Sequence, residues 1–323
     1  MSQGLSLDVV IVSHNDGRWL GACLRSLRER RGDCALKVIV VDNGDGLEDV
    51  EPEALEADDV LVVRSRNHGF AAGNNLGVRH GSAPAVLFLN PDTELIRGTL
   101  AQLVQHVEER PDVGAVAVRQ TTGDGTAYPS LRRFPSVGRV VANALWAERW
   151  PVVGRVAGER ELRMGRYETI VDCDWTTGAA LLVRRSALES AGTFDSRFFM
   201  YSEETDLCKR IVDAGWRVMH VPDITVVHHA GKAGVNPVLE AQMAHSRMLY
   251  ARKHFGRARQ SAYLAGLLLH HAVRVTALRR ETTSSSPEAS RRCLRVLLGR
   301  EAPPFAALTS AVADAGRTDE VAA

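Results

Sequence analysis

The sequence predicts an α/β protein built on a mainly parallel sheet with helices on both faces. Short apolar, β-branched runs recur at Leu7 to Ser13, Lys37 to Val41, Asp59 to Val63 and Ala85 to Leu89, the pattern of strands buried on both sides. Between the first two, Trp19 to Arg30 carries apolar residues at helical spacing, and after the third, Gly69 to Arg79 reads as a loop feeding a helix. Strand, helix, strand order with uninterrupted apolar strands implies parallel pairing and ligand binding at the carboxyl ends of the strands.

Further elements follow in order. Asp112 to Val118 reads as a strand, and 121–150 as irregular chain broken at Pro129 and Pro135. Ala179 to Val183 is a strand, Glu204 to Ala214 a helix closed by Gly215, and Val218 to Val227 strand material interrupted at Pro222. Residues 238–280 are helical in pattern and basic, with Arg247, Arg252, Lys253, Arg257, Arg259, Arg274, Arg279 and Arg280, and ETTSSSPEAS (281–290) reads as a linker. The expected division is a catalytic domain at 1–230, a basic helical extension at 231–280, and a linker and tail at 281–323.

Composition narrows the class. The 323 residues are 45% hydrophobic, ample for a large core. Lys+Arg 40 against Asp+Glu 39 gives a net +1, which argues against a partner selected by overall charge, such as nucleic acid. The five cysteines form no C-x-x-C pair, so neither a disulfide framework nor a thiolate metal site is expected, and a reducing cytoplasm is the simplest location. MSQGLSLD lacks the pattern of a signal peptide, and no stretch approaches the ~18 uncharged apolar residues of a membrane span.

The residues after each strand are therefore the candidates for chemistry: Ser13-His14-Asn15-Asp16, Asp42-Asn43, Arg66-Asn67-His68-Gly69 and Asn90-Pro91-Asp92. Turn-making and helix capping are the competing roles for each segment alone. Pro91 ends its strand, having no N–H for a ladder, and leaves Asp92 at the tip. A lone carboxylate there suits Mg²⁺ or Mn²⁺, which take one or two protein carboxylates and complete their shell with water and phosphate oxygens. One of His228 and His229, at another strand end, can face the same pocket, since neighbouring side chains point to opposite faces. Glu203, Glu204 and Asp206 open a helix. They are ordinary N-terminal acids on one reading, and on the other they include a general base for an acceptor hydroxyl.

Taken in order, VVIVSHN, VDNG, NHGFAAGNNLG, LFLNPDTEL, WTTGAALLVRRSAL, FDSRFFMYSEETDLCKR and VPDITVVHHAG resemble glycosyltransferase family 2, in particular its rhamnosyltransferase-like branch, over residues 7 to 255. The resemblance implies a GT-A fold. It also implies that Ser13, His14 and Asp42 line the nucleobase pocket, and that Asn67, Gly69, Gly73, Asn74 and Asn90 bind the donor. Many members carry Arg at the position of Asn74. Asp92 stands at the last carboxylate of the family's Asp-x-Asp motif, so the resemblance makes it a metal ligand, with His228 as the second. Glu204 takes the place of the catalytic Asp, beside Glu203, and Trp175, Gly178 and Asp206 fall on the acceptor side.

The implied activity is inverting, metal-dependent sugar transfer from a nucleotide diphosphate donor to a hydroxyl acceptor of a glycan or glycolipid. L-rhamnose from a dTDP donor is the first expectation, with a UDP-hexose or UDP-galactofuranose donor, or a non-catalytic nucleotide-sugar binder, as alternatives. Peripheral membrane contact through the basic helices and a homodimer are left open. A nicotinamide-dependent oxidoreductase is disfavoured, because SHNDGRW stands where G-x-G-x-x-G is required.

Overall fold

The computed structural model describes residues 4–15, 17–44, 47–146, 157–229, 236–277, 286–306 and 308. Asp16, Arg279, Arg280, the first half of the expected linker and the end of the expected tail from residue 309 lie outside the described residues.

The chain opens with β1 (Ser6–Ser13), α1 (Gly17–Glu29), β2 (Ala35–Asp42), the short α2 (Pro52–Leu55), β3 (Val60–Arg64), α3 (Phe70–Arg79) and β4 (Ala85–Leu89). β1 pairs in parallel with both β2 and β4, and β2 with β3. These strands are apolar because both faces are covered: Val9, Ile11, Val38, Val40 and Leu87 pack in one core cluster with Leu20, Leu24 and Leu27 of α1. α3 lies close on β1. A Cβ on Gly77 would stand 2.3 Å from Val10 Cγ1, so only glycine allows that approach.

After β4 the chain turns through Asn90-Pro91-Asp92 into a strand that sequence periodicity did not disclose, β5 (Thr93–Arg97), then α4 (Leu100–Glu108) and β6 (Val113–Thr122). α4 starts at a capping box in which Thr99 and Gln102 exchange side-chain and backbone hydrogen bonds. Two short strands, β7 (Ala127–Tyr128) and β8 (Leu131–Arg132), occupy part of the segment expected to be irregular, and a helix, α5 (Val137–Ala144), starts just beyond Pro135. β9 (Val171–Asp172), β10 (Trp175–Thr176), β11 (Ala180–Arg184), α6 (Arg185–Ala191), α7 (Glu203–Asp213) and β12 (Arg217–His228) follow.

The main sheet runs β3-β2-β1-β4-β11-β6-β12-β5. It is mixed: β11 is antiparallel to β4 and β6, β12 is parallel to β6, and β5 is antiparallel to β12. β12 does not stop at Pro222. Its register against β6 shifts between Val221 and Thr225, and the displaced stretch accommodates a residue with no ladder N–H.

Beyond residue 236 come α8 (Pro237–His254), α9 (Arg257–Ala277) and α10 (Pro287–Leu297). Asn236 caps α8 and Ser286 caps α10, each followed by proline at the first helical position. The helix over 287–297 corrects the expectation of a linker: Ser-Pro here is a helix start, and Ala289, Cys293 and Val296 are buried.

The chain divides into two compact units. The first comprises residues 1–132, 163–195 and 204–230 and holds the sheet; the second comprises 133–162, 196–203 and 231–323. The second has its own core, in which Val140 of α5 packs with Met248, Tyr250, Phe255, Tyr263 and Leu267.

Candidate active site

The carboxyl ends of β1, β2 and β4 and the amino end of β11 fall side by side. The register pairs Ser13 with Asp42, Ile11 with Leu89, and Leu89 with Ala180. Asn90 N–H donates to the Ala179 carbonyl at 2.9 Å, extending the pairing one step past the strand. The residues singled out after each strand thus share one edge.

On the β2 side, Asp42 is buried and its Oδ1 accepts the Gly44 N–H at 3.1 Å. His14 is exposed and its Nδ1 lies 3.1 Å from the Asn43 carbonyl oxygen. Asn67 Oδ1 accepts the Gly69 N–H at 3.0 Å, which shapes the entry to α3. Ser13 Oγ is fully buried and, like Asn43 Oδ1, has no hydrogen-bond partner. Gly73 and Asn74 point inward instead. A Cβ on Gly73 would lie 2.9 Å from Val12 Cγ1, and Asn74, fully buried, donates to the Phe70 carbonyl one turn back.

Asp92, 7% exposed, lies with its Oδ1 3.3 Å from His228 Nε2, and Asn90 Nδ2 is also 3.3 Å from that nitrogen. His229, on the opposite face, is engaged elsewhere: its Nε2 is 2.6 Å from Glu94 Oε1 and its ring stacks on Trp19 at 4.4 Å. Its backbone N–H donates to the Asp92 carbonyl at 2.9 Å. Among the described residues no group of three or more His, Cys, Asp or Glu side chains is arranged to hold a metal. A two-ligand set of one carboxylate and one imidazole fits a cation that takes its remaining ligands from water and substrate phosphate, not a closed structural site.

Glu204 stands at the start of α7. Burial pushes its carboxyl up to about 7, against the opposing pull of its own and the Thr205 backbone N–H groups, the Arg132 charge and the Gly178 N–H. Its Oε2 is shielded from solvent and accepts no hydrogen bond. A carboxyl balanced near neutrality is suited to proton transfer. Tyr201 and Ser202, just before the helix, both have left-handed backbones (φ 68° and 63°), a costly pair for non-glycine residues of the kind found at functional sites.

Glu203 is buried. Trp175 is buried in β10, where it pairs with Arg132 of β8. Asp206 does not face an acceptor: it is fully buried and pairs with Arg210 at 2.9 Å, which in turn binds the carbonyls of Gly192 and Thr193. Its position one helical turn before Arg210 explains the difference, since i, i+4 neighbours meet on one helix face. Sequence reasoning singled out neither Arg132 nor Gln120. Arg132 falls in a two-residue strand with no readable period, and Gln120 continues β6 as a polar residue past its apolar run.

Among solved structures, a mannosyltransferase from Pyrobaculum calidifontis in complex with GDP-Man and Mn²⁺ superimposes with a TM-score of 0.53, covering 96% of this chain and 84% of that chain at 17% identity. At that identity the likeness speaks for the fold alone, an α/β fold of the GT-A type. The profile of Glycosyl transferase family 2 matches residues 8–188. N-acetylglucosaminyl-diphospho-decaprenol L-rhamnosyltransferase from Mycobacterium tuberculosis is 32% identical over 267 residues, 77% of this chain and 85% of the relative. Rhamnosyltransferase WbbL from Escherichia coli is 26% identical over 69% of this chain and 83% of its own length. The chain belongs to glycosyl transferase family 2 and is a glycosyltransferase.

Proposed function

We propose that the protein transfers L-rhamnose, with inversion, from a dTDP-linked donor to a hydroxyl of a glycan carried on a polyprenyl diphosphate, assisted by Mg²⁺ or Mn²⁺. What supports the catalytic part is a chain of contacts: the Asp92–His228 pair lies beside Asn90, whose N–H bonds the Ala179 carbonyl, next to the Gly178 that lies against Glu204. The sugar and the lipid carrier rest on the similarity to relatives named as L-rhamnosyltransferases, one of them acting on a diphospho-decaprenol.

In this reading Ser13, His14 and Asp42 hold the nucleobase end of the donor, Asn67, Gly69 and Asn90 line its path, and Asp92 and His228 hold the cation. A divalent cation bound there supplies charge neutralisation for the departing diphosphate. Glu204 takes the proton of the acceptor hydroxyl as its oxygen bonds to the anomeric carbon and the bond to the diphosphate breaks on the opposite face. One displacement of this kind inverts the centre.

A panel of nucleotide sugars tests the donor. Millimolar dTDP-L-rhamnose with Mn²⁺ is expected to raise the melting temperature by mass action more than UDP-hexoses or UDP-galactofuranose do. A larger shift with UDP-galactofuranose would reassign the donor, and no shift with any nucleotide would remove the assignment.

In the second unit Arg252, Lys253, Arg257 and Arg259 are exposed around the junction of α8 and α9, and no helix among the described residues is long and apolar enough to cross a membrane. These charges suit the anionic surface on which a lipid-linked acceptor is presented. Vesicles containing anionic lipid are expected to co-sediment the protein in a salt-sensitive way. Equal recovery with neutral vesicles would contradict this contact.

A further inference from the structure

We propose that Gln120 is a positioning residue for sugar transfer, holding the Thr177–Gly178 turn so that the Gly178 N–H stays on the carboxylate of Glu204. The inference rests on Glu204 being the base.

Gln120 lies in β6 and is fully buried. Both ends of its amide are spent on one residue: Nε2 donates to the Thr177 carbonyl at 3.1 Å, and Thr177 Oγ1 donates to Oε1 at 2.9 Å. The same turn is held twice more. Thr177 N–H donates to the Ser130 carbonyl at 3.2 Å, and the Ala179 carbonyl accepts the Asn90 N–H at 2.9 Å. Two residues, Thr177 and Ala179, are thus fixed from three parts of the sheet system, and the one between them, Gly178, lies against Glu204. A Cβ added at Gly178 would stand 3.8 Å from the Glu204 carboxyl carbon, so the backbone itself approaches the base.

A fully buried amide is costly unless both of its ends are bonded. Here a single threonine meets that requirement, and the geometry so fixed is that of the turn beside the base. The Gly178 N–H favours the ionised form of Glu204. Releasing the turn weakens that bond and leaves burial less opposed.

The test uses the full chain with donor, acceptor and Mn²⁺. Gln120→Leu is expected to move the acid limb of the kcat against pH profile upward by about one pH unit, lowering kcat at acid pH on the order of tenfold. The donor KM and the donor-induced melting shift should stay as in the wild type. Thr177→Val, which removes only the hydroxyl bond, should move the limb less and in the same direction, and it decides the matter if Gln120→Leu does not fold. Lower stability with an unmoved limb in the folded variants would overturn the inference. If the limb is unmoved while Glu204→Gln abolishes transfer, the base assignment stands and the positioning role alone fails. If Glu204→Gln retains transfer, the base assignment itself fails.

Discussion

Glu204→Gln should abolish sugar transfer, lowering kcat by about 10²- to 10⁴-fold, the contribution typical of general base catalysis, with donor affinity unchanged. The amide keeps the size of the side chain and cannot take a proton. Because the carboxyl sits near 7, wild-type kcat should fall about tenfold per pH unit below that value, since the protonated form is not a base. A second consequence separates catalysis from structure. Between the ordinary glutamate value of 4.5 and about 7, the unfolded chain ionises this group while the folded chain keeps it protonated. The folded state then binds more protons, so this group's effect on stability turns unfavourable as pH rises through that window. Glu204→Gln removes the penalty, and the variant should melt above wild type by a margin that grows from about pH 5 to about pH 7 and then levels off. A fully active variant, or an inactive one destabilised at every pH, would show that Glu204 does not serve as the buried base. Gain of stability on loss of function is the usual signature of a site whose burial is held against its own charge.

The parallel half of the sheet was legible because its strands are continuous apolar runs between polar ends, and helix α1 because its apolar residues keep a 3.6 period. Elements fixed by distant pairing were not. β5 reads as TELIR, too short and mixed to stand alone, and exists because β12 offers it an antiparallel edge. α5 follows two prolines that read as breakers, yet its cap, Ser136, follows Pro135 directly and opens the helix. Pro222 marked an interruption in strand material over 218–227, and the register shift there is what carries β12 through to His228. In the site, strand ends placed Asp92 and one of His228 and His229 together, the family resemblance favoured His228, and the structure sets His228 beside Asp92. Sequence order gave no sign that Glu94, two places on, takes the other histidine, since that depends on Trp19 stacking across from α1. Asp206 misled because an acid beside two others at a helix start gives no hint that an arginine one turn later will bury it.

Asp92→Asn should remove Mn²⁺-dependent donor binding without unfolding the protein, and reduce transfer by at least about 100-fold. Asparagine is nearly the same shape, and the His229 N–H bonds to the Asp92 backbone carbonyl, which the substitution leaves in place. What is lost is the charge. A hard divalent cation bound as proposed would have few protein ligands, and replacing its one carboxylate with a neutral amide would remove most of the electrostatic attraction. Titration of the protein with Mn²⁺ in the presence of dTDP, followed by electron paramagnetic resonance of the free ion, reads this without turnover: wild type should deplete the free-ion signal and Asp92→Asn should not. His228→Ala should weaken the same binding less, because imidazole adds a ligand but no negative charge. Glu94→Gln distinguishes this site from its neighbour. The Glu94–His229 pair is closed by the Trp19 ring, whereas Asp92–His228 adjoins Asn90, whose N–H leads directly to the turn beside Glu204. Mn²⁺ binding lost in Glu94→Gln but retained in Asp92→Asn would place the cation on the wrong face of β12 for this mechanism, and the diphosphate would then need another partner.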